Sequence, residues 1–339
     1  MERTHFSSER KKTLILSVGV FLILIAVFGV FFANRLHFDS DSCEGTRNVL
    51  VSKKERDLRI VSTSPSITEA LFAIGLGDCV VAVSDYCQYP PEVAELPKIG
   101  SLYEYNLESI IELNPDFVVV LKENDVLPQK LSALGVDTFK VDHTSLDGAL
   151  ASFESLGERV RNERPEALEQ ARRLREKIQR QIEDIRKSVA DLPKTKTLVA
   201  IYRTVGLGKV SEVYVAGQNP YFNSVLEIVG AANVAENLTG VAPVVTTEGI
   251  IDLNPEVVLD LSTDGVQYDG ELLQLKIEER VSDWRSLGDS VDAVKNGRIY
   301  PIFDDFATVP GARSGLFLEK VADLVHPERV KKSGDKESK

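Results

Sequence analysis

The chain has 339 residues, of which 43% are hydrophobic and 27% are charged. This balance is typical of a globular protein and excludes a disordered or fibrous chain, while the length predicts two domains. The formal net charge of −12 argues against nucleic acid as a partner, because such a partner requires a basic surface. The three cysteines are too few to form a disulfide scaffold.

The N-terminal segment predicts export across a membrane. Residues 13–33 carry no charge, and as a helix they would extend roughly 31 Å, close to the ~30 Å thickness of a bilayer core. Arg10, Lys11 and Lys12 precede this run, which keeps the N-terminus in the cytoplasm. We favour an uncleaved anchor, because a cleaved signal has an apolar region of only about 7–15 residues. A cleaved signal and a lipid anchor at Cys43 stay open, and all three place the globular part outside the cytoplasm.

The first half of the exported part alternates short apolar runs with helical patterns. Alternation of this kind is typical of a parallel sheet with helices on both faces. Asn106 is the predicted N-cap of one helix, and Asn114-Pro115 is its predicted end. The predicted strands begin at residues 59, 79, 117 and 138, and the predicted helices cover 66–77, 106–116 and 126–134.

The second half repeats this order of elements. TTEGIIDLNPE (246–256) matches NLESIIELNPD (106–116), and a predicted strand follows each segment. The two Asn-Pro pairs are 140 residues apart, and the opening strands of the two halves, at about 60 and 198, are 138 apart. Two landmarks with nearly the same offset indicate a duplicated α/β lobe. A helix over 221–234 that ends in Gly230 is predicted between these landmarks.

A long amphipathic helix is predicted between the halves. Its apolar residues follow each other at steps of three or four, and charged residues fill the other faces. We favour a strut across both lobes over a dimerising coiled coil, because the helix begins where one lobe ends. The fold class is therefore α/β, with two Rossmann-like lobes that have parallel sheets, one long interlobe helix and a preceding transmembrane segment. The predicted parts are 1–34 (cytoplasmic tail and anchor or signal), 35–57 (tether), 58–162 (first lobe), 163–193 (helix), 194–328 (second lobe) and 329–339 (disordered tail).

This organisation resembles the class III substrate-binding proteins of ABC importers, which carry vitamin B12, ferric siderophores or haem. The resemblance covers residues 58–328 and rests on the order of several segments, among them SDYCQYPPE (84–92), which is closest to the cobalamin branch. It implies capture of a small metal chelate in a cleft between the lobes, with delivery to a permease and its ATPase subunits. The continuous interlobe helix predicts closure through a small angle only. No cofactor beyond the chelate itself is implied.

The same resemblance implies two sets of functional residues. Glu108 and Glu248 occupy equivalent positions of the repeated helix and are the expected permease-docking carboxylates. Such carboxylates on two lobes would fix register and raise the encounter rate. The expected ligand-binding residues lie in loops that follow strands, where ligands of parallel α/β sheets bind: Ser64, Pro65, Tyr86, Tyr103, Tyr105, Tyr202, Arg203 and Asp305.

The identity of the chelate stays open at this point. A corrinoid is favoured, but cobalamin receptors tend to line the cleft with tryptophans. Here Leu102, Leu121 and Ala242 stand in the approximate places, and we interpret the single tryptophan, Trp284, as a packing residue. A ferric siderophore or haem is the alternative, and Arg203 would suit an anionic chelate.

Several other residues whose side chains could bind a ligand or react are interpreted as structural. These are Arg313 as a hydrogen-bonding residue, Tyr89 as a residue of the turn beside Pro90, Cys79 and Cys87 as free thiols, and His143 as a loop histidine with a weaker alternative as a haem ligand. No HExxH, GxSxG, CxxC or complete phosphate-binding motif occurs, so an enzyme is not predicted. A membrane-tethered ligand sensor is the alternative of another class.

Overall fold

A four-stranded sheet organises the first lobe in the computed structural model, which describes residues 57–101, 104–262 and 268–329. The strand order is β2-β1-β3-β4 and every neighbouring pair is parallel, as predicted. The strands are β1 (Ile60–Ser62), β2 (Val80–Val83), β3 (Phe117–Leu121) and β4 (Thr138–Val141). The helices are α1 (Pro65–Ala73), α2 (Leu107–Glu112), α3 (Val126–Ala133) and α4 (Leu146–Arg159), and 3₁₀ turns lie at Gly77–Cys79 and Pro91–Glu95.

Side-chain caps mark the first residues of α1, which follows β1, and of α2, which precedes β3. The Ile67 N–H donates to Ser64 Oγ at 3.4 Å, and Pro65 occupies the first position of α1. The Ser109 N–H donates to Asn106 Oδ1 at 3.0 Å, which confirms Asn106 as the N-cap of α2. These caps place the N-terminal ends of both helices beside strand ends.

One helix, α5 (Pro165–Val189), runs between the lobes with its apolar stripe buried. It packs against α4 of the first lobe, a helix that the sequence patterns did not predict. It also packs against α10 (Ser314–Val325) of the second lobe. The stripe comprises Ala167, Ala171, Ile178, Ile182, Ile185 and Val189. A strut between the lobes therefore agrees with the observed contacts.

The sheet of the second lobe is mixed, which corrects the prediction of a parallel sheet in both lobes. Its order is β10-β9-β5-β6-β8, and β7 pairs with β5. The pairs that involve β6 are antiparallel, while β10, β9, β5 and β7 run parallel. The strands are β5 (Thr195–Arg203), β6 (Glu212–Val215), β7 (Ala231–Asn233), β8 (Val244–Thr246), β9 (Val257–Leu261) and β10 (Ile299–Ile302).

The helices of the second lobe include the one predicted to end in Gly230. It does end there, because Gly230 has a φ of 71°, and the following residues 231–233 form β7 instead of continuing the helix. The helices are α6 (Pro220–Ile228), α7 (Thr247–Leu253), α8 (Gly270–Arg285), α9 (Asp292–Lys295) and α10 (Ser314–Val325), with 3₁₀ turns at Gly288–Ser290 and Asp305–Thr308.

Equivalent backbone geometry supports the duplication. Asn114 has a φ of 46° and Asn254 has a φ of 37°, each directly before a proline and a buried strand. Left-handed backbone of this kind is tolerated by asparagine better than by most residues. Asn-Pro therefore ends the helix in both halves, in agreement with the sequence pattern.

A single cluster of buried apolar side chains extends through both lobes and α5. It contains Leu71 of α1, Ile178 of α5 and Phe317 of α10, all of them almost fully buried. None of the helices within residues 57–101, 104–262 and 268–329 is long and apolar enough to cross a membrane. The predicted span at 13–33 and most of the predicted tether and tail lie outside these residues.

Candidate functional site

One arginine joins the two lobes near the carboxyl ends of their strands. Arg313 follows the 3₁₀ turn after β10. Its Nε donates to Glu69 Oε2 at 2.9 Å, and its Nη2 donates to Glu69 Oε1 at 2.5 Å. Its Nη1 donates to Asp305 Oδ1 at 2.6 Å. Because Glu69 belongs to α1, which follows β1, these bonds hold the loop edge of one sheet against that of the other.

The Arg313–Glu69 pair is largely shielded from water. The side chain of Glu69 is 2% exposed and that of Arg313 is 13% exposed. The ring of Tyr89 lies over the guanidinium, with its centroid 3.8 Å from the central carbon. Burial raises the pKa of the Glu69 carboxyl, and the hydrogen bonds and charge of Arg313 oppose this rise. Arg313 is thus a structural hydrogen-bonding residue, as the sequence predicts.

Four of the five first-lobe candidates lie at the carboxyl edge of the parallel sheet. Ser64 and Pro65 begin α1, and the Tyr105 hydroxyl donates to the carbonyl of Thr63 at 3.1 Å. Burial raises the pKa of Tyr105, so its hydroxyl stays protonated. Tyr86, in the loop after β2, is 59% exposed. The fifth candidate, Tyr103, lies outside the described residues.

A cavity of about 670 Å³ opens beside Tyr105 at the end of β3. Tyr105, Leu107 and Leu121 contribute apolar surface, and the loop 123–125 contributes polar groups. A mostly apolar concavity with a few polar groups is the usual form of a small-molecule site. Its full lining comprises Glu104, Tyr105, Leu107, Leu121, Glu123, Asn124, Asp125, Val126, Leu127 and Lys130.

The second lobe presents an exposed pair of aromatic rings. Tyr202, near the end of β5, lies opposite Tyr214 of β6 in the antiparallel register. The ring centroids are 5.9 Å apart, and the side chains are 56% and 44% exposed. Tyr214 is not among the residues that the sequence predicts for the site. The alternation in Glu212–Val215, where Val213 and Val215 are buried, is the signal that places Tyr214 on the open face.

Arg203 does not lie on the exposed surface, and this corrects its prediction as a ligand-binding residue. Its five N–H donors have partners inside the second lobe. Two donate to Asp260 Oδ2, one to Asp283 Oδ2, and two to the carbonyls of Thr204 and Arg280, all within 2.7–3.2 Å. Because the side chain is 1% exposed and fully bonded, it offers no donor to a ligand.

The tryptophan and the two cysteines that the sequence indicates as structural are buried. Trp284 is fully buried and its Nε1 donates to Asp260 Oδ2 at 3.0 Å, which confirms its packing role. Cys79 and Cys87 are both buried free thiols, as predicted. Within the described ranges, no group of three or more His, Cys, Asp and Glu side chains is arranged to hold a metal ion.

His143 is a buried neutral histidine beneath the start of α1. Its Nδ1 lies 2.8 Å from Ser66 Oγ, and its Nε2 lies 2.7 Å from Ser152 Oγ. Burial lowers the pKa of His143 to about 4. Both ring nitrogens are occupied by hydroxyl groups, so the alternative role as a haem ligand does not fit this arrangement.

We expect acid to destabilise the protein through His143. The pKa of His143 is about 4 in the folded protein and near the ordinary histidine value of 6.5 in the unfolded chain, so the unfolded chain binds the extra proton between these values. Stability should be complete above pH 6.5 and should fall as the pH drops toward 4, by on the order of 3 kcal/mol. Urea unfolding of the protein and of His143→Gln across this range measures the effect. An equal pH slope in both proteins would contradict it.

The two predicted docking carboxylates occupy matching positions. Glu108 is the second residue of α2 and Glu248 is the second residue of α7, and both are exposed. Hydrogen bonds from its own backbone N–H and from Thr246 lower the pKa of Glu248. Each lobe therefore presents one carboxylate on the first turn of the repeated helix.

Comparison with known proteins adds the family. The sequence model for the periplasmic binding protein family matches residues 60–305. The chain belongs to this family. Its members are solute-binding proteins and not enzymes, so this periplasmic binding protein is the extracytoplasmic substrate-binding component of an ABC importer.

Relatives of this periplasmic binding protein cover most of its length. It is 29% identical over 287 residues to the uncharacterized ABC transporter substrate-binding lipoprotein YvrC of Bacillus subtilis, which spans 83% of this chain and 84% of the relative. It is 26% identical over 267 residues to the vitamin B12-binding protein of Vibrio vulnificus, spanning 78% and 89%. The structure of the periplasmic heme binding protein HutB of Vibrio cholerae has the same fold, with a TM-score of 0.66, 22% identity and coverage of 80% and 100%.

Proposed function

We propose that this protein captures a flat metal chelate, foremost a corrinoid, between its lobes and delivers it to the permease. One observation carries the proposal: exposed aromatic surface lies at the strand ends of both lobes. Tyr86 stands at the edge of the first lobe, and the Tyr202–Tyr214 pair stands on the second. Aromatic faces suit a macrocycle, and a few polar groups orient it.

Further residues of the proposed site come from both lobes. Pro65 and Tyr105 supply ring surface from the first lobe, and Tyr103 is a further candidate by sequence. Ser64 is buried with its hydroxyl bonded to the Ile67 N–H and to Ser66, which corrects its prediction as a ligand-binding residue. Asp305, whose side chain is 22% exposed, supplies a carboxylate from the second lobe while Arg313 orients it. The relative from Vibrio vulnificus, named a vitamin B12-binding protein, supports the corrinoid.

A ferric siderophore or haem is the second candidate cargo. The structural similarity to a heme binding protein at 22% identity extends to the fold alone. Arg203 would have favoured an anionic chelate, but its guanidinium is buried and bonded to Asp260 and Asp283 and is not accessible to a ligand. We therefore keep the corrinoid as the first cargo to test.

We propose a small closure angle on ligand binding. The lobes share α5 and its apolar cluster on one side, and the Arg313–Glu69 pair joins them near the strand ends. A wide opening would expose the cluster and break a buried ion pair, and both changes cost free energy. We also propose that residues 13–33 hold the protein at the outer face of the cytoplasmic membrane.

The proposal is tested by binding and by transport. Calorimetry of the full-length protein in detergent with cyanocobalamin, cobinamide, haem and ferric siderophores should show saturable one-to-one binding of one class. Addition of the loaded protein to its reconstituted permease should raise ATP hydrolysis. Binding without any stimulation would instead support the membrane-tethered sensor, and turnover of a bound compound would support an enzyme.

We expect the aromatic pair of the second lobe to contribute to ligand affinity. Tyr202→Ala and Tyr214→Ala should each weaken binding by roughly fivefold to tenfold, because each removes ring surface that the ligand would cover. Tyr300→Ala, which changes a tyrosine of β10 in the same lobe, serves as the control. Unchanged affinity in both variants, with the fold retained by circular dichroism, would contradict the assigned surface.

A further inference from the structure

The loops at the carboxyl ends of the parallel strands are strongly acidic. These carboxyl-edge connections follow β1, β2, β3, β4, β5, β9 and β10. Their described residues include ten Asp and Glu residues but only four Lys and Arg residues. These described residues are 63–64, 84–101, 104–106, 122–125, 142–145, 204–211, 262, 268–269 and 303–313.

Three of these four cationic residues are already engaged by the protein. Lys98 Nζ donates to the carbonyls of Cys87 and Val93 at 3.0 and 3.3 Å. Lys122 pairs with Asp142, and Arg313 pairs with Glu69 and Asp305. The fourth is Lys209, in the loop after β5. Two of the four positive charges at this edge are therefore paired with carboxylates before any ligand binds, and a third is hydrogen-bonded to backbone carbonyls.

The negative charge includes groups that border the cavity beside Tyr105. Glu104 and Glu123 are exposed at its rim and form no ion pair with a cation of the described residues. Asp125, also at the rim, pairs with Lys140 at 2.7 Å, and Lys130 is the one cationic residue among the lining side chains of this cavity. Carboxylates around an apolar concavity repel an anion and attract a cation, because low-dielectric walls focus the field.

We infer that the cleft selects metal chelates that are neutral or positively charged and discriminates against anionic ones. This inference rests on the proposed function and adds the charge class of its cargo. An anionic chelate would face the uncompensated carboxylates of Glu104 and Glu123. It would also find the guanidinium of Arg203 buried and that of Arg313 bonded to two carboxylates. A neutral amide-bearing corrinoid or a cationic hydroxamate chelate avoids this repulsion.

Matched ligands that differ in one charged group test the inference. One pair is cyanocobalamin and its monocarboxylic acid. The other is ferrioxamine B, which carries an ammonium group, and its N-succinyl derivative, which carries a carboxylate. For the pair that binds the full-length protein, the member without the carboxylate should bind about tenfold more tightly at low salt. The preference should shrink at about 0.5 M salt, because the charges are then screened.

Neutralising the rim should reduce the preference without removing binding. In the variant with Glu104→Gln and Glu123→Gln, the ratio of the two affinities within the ligand pair should narrow several-fold in favour of the carboxylate ligand. The control variant carries Glu169→Gln and Glu176→Gln on α5, where each carboxylate pairs with an arginine of the same helix. It removes the same net charge away from the cavity and should keep the full preference.

The outcomes separate the inference from the proposed function. Equal or tighter binding of the carboxylate ligand, or submicromolar haem binding with no corrinoid or hydroxamate binding, would overturn the charge selection while leaving the chelate-receptor function in place. Failure of every chelate to bind would overturn the proposed function, and the inference with it. If the rim variant and the α5 control lose the preference to the same extent, the assignment to Glu104 and Glu123 is also overturned.

Discussion

Arg313→Leu is expected to lower the free energy of unfolding by about 3 kcal/mol. The change leaves the carboxylate of Glu69 buried without its cationic partner, and removal of one member of a buried pair costs about 3–5 kcal/mol. We take the lower end because the Arg313 side chain is 13% exposed. For a folded part of this size the melting temperature should fall by roughly 5 °C. Urea unfolding and calorimetric melting of the full-length protein measure both quantities.

A second variant separates the buried charge from lost packing. Arg313→Leu combined with Glu69→Leu leaves no unpaired charge, so much of the lost stability should return. Arg285→Leu is the matched control, because its pair with Glu278 is exposed, with side chains 58% and 61% accessible. That control should change stability by less than about 1 kcal/mol. A double variant no more stable than Arg313→Leu would contradict the role given to the unpaired carboxylate.

The stability defect of Arg313→Leu should depend on pH. Burial already raises the pKa of Glu69, and loss of Arg313 removes the groups that oppose this rise. A carboxyl with a raised folded-state pKa binds its proton more tightly when folded. The defect should therefore be smallest below pH 4.5 and should grow as the pH rises through the folded-state pKa. A defect that is constant between pH 4 and pH 8 would be the contrary result.

Removal of the two carboxylates that we propose for permease docking is expected to uncouple the receptor from its permease. Glu108→Gln and Glu248→Gln should each weaken permease binding by about tenfold, because each removes one charge that we propose to complement a basic permease residue. The combined variant should lose roughly a hundredfold, since the two positions lie on different lobes and act independently. Ligand affinity should not change. Titration of the variants into permease proteoliposomes, with ATP hydrolysis as the signal, gives the apparent affinity.

The docking prediction needs a control for net charge. Glu169→Gln with Glu176→Gln removes two exposed carboxylates from α5 and should leave stimulation of ATP hydrolysis intact. A reciprocal Glu-for-Arg exchange in the permease that restores the Glu108→Arg or Glu248→Arg variant would identify the partner residue. Equal stimulation by the wild-type protein and the combined Glu108/Glu248 variant would contradict the assignment of these carboxylates.

The candidate site contains residues whose position the sequence predicts and residues whose side-chain direction it does not. The loop positions of Ser64, Pro65, Tyr86 and Asp305 follow from strand ends, which apolar runs mark clearly. Arg203 also follows a strand, but the pattern does not reveal that its guanidinium turns inward. That direction depends on Asp260 of β9 and Asp283 of α8, which lie 57 and 80 residues away along the chain. Tyr214 was missed because β6 is a short antiparallel strand with no helix to mark it.

The sequence by itself determined the alternation of strands and helices, the duplicated segments, the long interlobe helix and the two equivalent carboxylates. These features depend on local periodicity, caps and Asn-Pro ends, which are readable within about ten residues. Only the tertiary structure decided which face of the second sheet carries Tyr214, how the Arg203 guanidinium is buried, and that Arg313 reaches Glu69 across 244 residues. Such contacts are long-range, and their energies depend on burial and charge compensation that no short segment of sequence encodes.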